Sequence, residues 1–75
     1  MENKRDNFKR ISEARVKRIV SSLAQMQNLA NSSYYEYSDE EIESIFIEID
    51  EASKKAKEAL LKGNERKRKS KRFVL

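Results

Sequence analysis

The 75-residue chain contains no cysteine, histidine, proline or tryptophan, and a single glycine, Gly63. Each absence closes a route. Without cysteine no disulfide can staple the fold, and without cysteine or histidine the usual zinc ligands are missing. The same gap leaves no cysteine as nucleophile and no histidine as base, and one glycine cannot build a phosphate-cradling loop. No enzyme, cofactor or metal is therefore expected. No apolar run approaches the ~20 residues of a membrane span. Charges also occupy the N-terminus, where a signal peptide would hold its apolar stretch. The expected setting is cytoplasmic, with attachment to an anionic membrane surface through Phe73-Val74-Leu75 and the basic run before it a minor alternative.

What remains is helical periodicity. From Phe8 to Ala30 the apolar residues Phe8, Ile11, Val16, Ile19, Val20, Leu23, Met26, Leu29 and Ala30 gather on one broad face at ~100° per residue. Asp6 or Asn3 can cap this helix, and Asn28, Asn31, Ser32 and Ser33 mark its end. A second helix begins at Ser38, followed three residues later by Glu41 as in a capping box, with Tyr37 placed to pack on Ile42 as a hydrophobic staple. Asp39, Glu40 and Glu41 lie where the helix dipole favours anions, which accounts for this acidic cluster without a bound cation. Ile42, Ile45, Phe46, Ile49, Ala52, Ala56 and Leu60 then share a face, and Lys62-Gly63 reads as a stop. Acid-first pairs four apart (Asp6–Arg10, Glu13–Lys17, Asp50–Lys54, Glu51–Lys55 and Glu58–Lys62) add a few tenths of a kcal/mol each.

The fold class expected is all-α. A helix over 6–30, a turn over 31–37 and a helix over 39–62 make an antiparallel helical hairpin within 1–63, and 64–75 form a basic tail, a frayed helix or disordered when free. Such a hairpin has a thin core. Ordering about 50 helical residues at ~1.5 kcal/mol each calls for roughly 3,000 Å² of apolar burial at ~25 cal/mol/Å². Two helices share one seam only, so a homodimer closing as a four-helix bundle is the expected remedy.

Three features break local rules, which sequences tend to do where they function. The first is charge polarity. The chain holds 17 Lys and Arg against 13 Asp and Glu, a net +4, but unevenly placed. Folding the hairpin brings Lys4, Arg5, Lys9 and Arg10 beside Lys54, Lys55, Lys57 and Lys62, with Arg66, Lys67, Arg68, Lys69, Lys71 and Arg72 at the same end. Cations in the first turn of a helix oppose its dipole, at about 0.3–1 kcal/mol each. This end is either ordinary solubilising charge or an anion-binding pole. The second is Arg15, inside the apolar face of the first helix: its stem packs while its head snorkels or pairs with an acid, or it fixes register between subunits. The third is Ile47, well off its helix's stripe, which with Leu61 is either a scattered surface residue or part of a partner or dimer surface. Tyr34, Tyr35 and Tyr37 resemble base-stacking residues but lie toward the opposite, acidic end, which carries Glu36, Asp39, Glu40, Glu41 and Glu43, where capping the turn suits them better.

Phe8-Lys9-Arg10-Ile11, Glu13-Ala14-Arg15-Val16, Asn28-Leu29-Ala30-Asn31-Ser32-Ser33, Tyr35-Glu36-Tyr37-Ser38 and Ile45-Phe46 together resemble a group of short helical-hairpin proteins. These are encoded in bacteria and on their plasmids, phages and other mobile elements. The likeness spans roughly residues 8–60 and leaves out the basic tail. It implies a bacterial or phage setting and an accessory or regulatory role, and it carries over no catalytic residue.

Two functions follow as expectations. One is electrostatic, weakly sequence-specific binding of nucleic acid, DNA rather than RNA, through Lys4, Arg5, Lys9, Arg10, Lys62, Arg66, Lys67, Arg68, Lys69, Lys71 and Arg72. A helix-turn-helix reader is disfavoured, because two long helices leave no short recognition helix. The other is a protein-interaction module, a small inhibitor or adaptor, using Arg15, Ile47 and Leu61.

Overall fold

The structure is a computed structural model that describes residues 3–73, with side chains described for 3–66. It is all-α, with no strand among the described residues: α1 (Lys4–Met26) runs into a 3-10 turn (Gln27–Ala30), and α2 (Asp39–Phe73) follows. The chain divides into two units, Met1–Glu36 and Tyr37–Leu75, each built on one helix.

In the first unit Asn3 is the cap. Its backbone is extended, its Oδ1 accepts the Asp6 N–H at 2.8 Å, and its carbonyl accepts the Asn7 N–H at 3.0 Å. Asp6 is thus not the cap; it sits in the first turn, where its charge suits the dipole. The helix starts two residues before the position expected, because Asn3 satisfies a donor there despite the opposing Lys4 and Arg5. At the other end α1 tightens into the 3-10 turn, and Asn31 closes it. Asn31 is extended (φ −70°, ψ 101°) and its N–H donates to the Asn28 carbonyl at 3.3 Å. Its carbonyl accepts the N–H groups of Tyr34 and Tyr35 at 3.1 Å, and its Oδ1 accepts the Ser33 N–H at 3.0 Å. One asparagine therefore ends the helical segment and shapes the turn after it, since its short amide can imitate a backbone carbonyl.

In the second unit the capping box forms as the spacing suggests. Ser38 Oγ accepts the Glu41 N–H at 3.2 Å, while Glu41 Oε1 accepts the Ser38 N–H at 3.0 Å and its hydroxyl at 3.2 Å. The far end differs from expectation. α2 does not stop at Gly63 but continues to Phe73, so of the two states expected for the basic segment, frayed helix or disordered chain, the helical one is seen through Phe73. The physical reason is local. No glycine here has a positive φ, so Gly63 does not adopt the left-handed turn of a C-cap. A lone helical glycine costs about 1 kcal/mol relative to alanine, and the lysines, arginines and glutamates on either side are good helix formers.

Neither unit has a core of its own. Among the described residues no side chain is buried, and only Ile11, Ser12, Met26, Ser38 and Ile49 are half-buried. Both apolar stripes are open, with Phe8, Ile19 and Leu23 exposed on α1 and Ile42, Ile45, Phe46 and Leu60 exposed on α2.

Candidate nucleic-acid interface

Caps and helix register place the cationic residues. On α1, Lys4 and Arg5 fall in the first turn straight after the Asn3 cap, and Lys9 and Arg10 one turn later. Arg10 Nη2 donates to Asn7 Oδ1 at 2.8 Å, one turn back, so its guanidinium is held along the helix. Lys9, Arg10 and Lys17 border a shallow, open surface together with Asp6, Glu13 and Ala14. That face is of mixed charge: two carboxylates stand among three cations. Lys17, two turns beyond Arg10, was read from sequence only as the helix partner of Glu13; its seven-residue spacing from Arg10 is the signal that would have placed it on this face.

On α2 the arrangement is more one-sided. Lys55, Lys62 and Arg66 recur at intervals of seven and four and so share one side of the helix. The backbone position of Lys69 continues that row, which spans about 21 Å at 1.5 Å per residue. Within residues 52–66 the only acids are Glu58 and Glu65, themselves seven apart and offset to one side of the row. Side chains of Lys67, Arg68, Lys69, Lys71 and Arg72 lie outside the described residues, although the helical backbone passes through all five.

The three residues read as a partner or dimer surface divide between the units. Arg15 is exposed on α1. Ile47 and Leu61, 56% and 54% exposed, are four turns apart on α2, about 21 Å, with Asp50 and Lys54 between them on the same side. They are two separate apolar points rather than a continuous patch. Tyr34, Tyr35 and Tyr37 are exposed as well, Tyr34 at 80%.

Among the described residues no group of three or more acidic side chains is placed to hold a metal ion, and no helix is long and apolar enough to cross a membrane. Val74 and Leu75, part of the apolar terminus that suggested membrane attachment, lie outside the described residues.

These features define an all-α protein built from two helices. No protein-family model, curated protein or solved structure matches the chain.

Proposed function

We propose that this protein is a small non-catalytic accessory or regulatory factor that binds nucleic acid by electrostatic contact with phosphates. The observation that carries the reading is the cationic row Lys55, Lys62 and Arg66, extended by a helix that runs on through the most basic part of the chain to Phe73. Helical backbone holds such charges at regular spacing and spares part of the ordering cost that a disordered tail would meet on binding. The two helices fold back on one another as a hairpin, and two hairpins close as a four-helix bundle. The open apolar stripes on α1 and α2 support this, since each needs a cover. In that arrangement Lys4, Arg5, Lys9 and Arg10 join Lys62 and Arg66 at one end.

The experiment replaces Arg66, Lys67, Arg68, Lys69, Lys71 and Arg72 together by glutamine, a good helix former without charge. Binding is read as fluorescence anisotropy of a labelled duplex, and helix content by circular dichroism. The expected outcome is loss of binding with helix content kept. Unchanged affinity would overturn the reading. The second reading, an inhibitor or adaptor that docks a protein through Arg15, Ile47 and Leu61, is favoured by the exposure of both apolar residues off the main stripe; its complex would survive the glutamine substitutions.

A further inference from the structure

α2 is a two-block helix in charge and in bulk. Residues 39–51 carry seven acids, Asp39, Glu40, Glu41, Glu43, Glu48, Asp50 and Glu51, and no base. From 52 to 66 the balance reverses, with Lys54, Lys55, Lys57, Lys62 and Arg66 against Glu58 and Glu65. The reversal holds on both flanks of the apolar stripe. At 100° per residue, Asp39, Glu43 and Asp50 followed by Lys54 and Lys57 run along one flank. Glu41 and Glu48 followed by Lys55, Lys62 and Arg66 run along the other. The stripe is graded in the same sense: Ile42, Ile45, Phe46 and Ile49 lie in the acidic half, while Ala52, Ala56, Ala59 and Gly63 lie in the basic half with the larger Leu60.

Two parallel copies of this helix would set acid against acid and lysine against lysine on both flanks, and isoleucine against isoleucine in the seam. Two antiparallel copies reverse every one of these contacts. Each acidic block then meets a basic block, and bulky side chains meet mostly small ones. An exposed ion pair contributes little by itself, but here both flanks and the seam share one preference, and flanking charges are what set orientation in paired helices.

We propose that α2 pairs antiparallel with α2 of a second copy, crossing near Ala52 and Ser53. The inference deepens the dimer of the functional reading by fixing its orientation. It also places the two basic helix ends at opposite ends of the pair, about 50 Å apart at 1.5 Å per residue. That distance matches about 15 base pairs of duplex at 3.4 Å each.

The chain has no cysteine of its own, so single-cysteine variants report the pairing directly. A Cβ at Gly63 meets nothing within 4 Å, which makes Gly63→Cys a mild change. Ser53→Cys, Gly63→Cys and an equimolar mixture of Gly63→Cys with Ile42→Cys are oxidised gently without nucleic acid and read by intact mass. The expected result is a doubled mass for Ser53→Cys alone, no self-linked Gly63→Cys, and a heterodimer from the mixture. A second mixture, Ile45→Cys with Ala59→Cys, covers the case in which Ile42→Cys loses helix content. Self-linked Gly63→Cys, absence of every crosslink, or sedimentation of the unmodified chain as a monomer would overturn the proposal. Because no nucleic acid is present, failure here is distinct from failure of the binding reading.

Discussion

Replacing Ser38 by alanine removes the hydroxyl oxygen that accepts the Glu41 N–H at 3.2 Å. It also removes the hydroxyl that donates to Glu41 Oε1 at 3.2 Å, leaving that carboxylate only the Ser38 N–H at 3.0 Å. Loss of a serine cap costs about 1 kcal/mol, a roughly fivefold shift toward a frayed helix start. Glu41→Gln keeps an oxygen able to receive the Ser38 N–H and removes only the charge, so it should cost about 0.3–1 kcal/mol through the dipole. Glu41→Ala loses both contributions. Since each partner's bond depends on the other, Ser38→Ala and Glu41→Ala together should cost less than the sum of the two alone, by about 0.5 kcal/mol or more. The assay is urea unfolding of the full chain followed by far-ultraviolet circular dichroism. With a denaturant slope of about 1 kcal/mol/M, the Ser38→Ala midpoint should fall by about 1 M. An unchanged midpoint, or strict additivity in the double variant, would refute reciprocal capping as the device that starts α2.

Gly63→Ala should raise stability by about 0.4–1 kcal/mol, because the position is helical, has no positive φ and has room for a methyl group; a lower urea midpoint would restore Gly63 as a helix stop. Asn3→Ala should cost about 1 kcal/mol by removing the 2.8 Å bond from the Asp6 N–H, whereas Asn3→Asp keeps an acceptor and should be near neutral; amide exchange at Asp6 checks both. Ile47→Ser combined with Leu61→Ser should leave duplex affinity unchanged within about 0.5 kcal/mol, as for surface positions outside the contact. A larger drop in anisotropy-measured affinity would bring these residues into the nucleic-acid interface.

Local signals were the legible part of this sequence. The Ser38–Glu41 spacing foretells the capping box because that motif is closed within four residues and needs no tertiary partner. Asn3 was one of two caps open from the sequence, and the choice fell to whichever side chain met a free N–H at the right turn. Gly63 misled for a related reason. Glycine is common beyond helix ends, but it ends a helix only when the chain turns left-handed there, and the flanking Lys, Arg and Glu favour continuation instead. The narrowing of α1 into a 3-10 turn at Gln27–Ala30 was signalled only coarsely, by Asn28 among the residues that mark the helix end, and nothing in the pattern of polar and apolar residues told a 3-10 turn from a plain stop. The candidate cations were legible as types but not as a surface. Register sets Lys9, Arg10 and Lys17 among carboxylates, yet lines up Lys55, Lys62 and Arg66 as a row, a distinction that net charge conceals.

The most direct test of electrostatic nucleic-acid binding is the slope of log affinity against log salt for the unmodified protein and a short duplex between 50 and 200 mM salt. Contact with about six phosphates gives a slope near −5 and a fall in affinity of about 10³-fold over that range. The expected result is a slope that steep, reduced toward zero when Arg66 to Arg72 carry glutamine in place of the six cations. An affinity that hardly changes with salt would contradict phosphate contact as the basis of this protein's function.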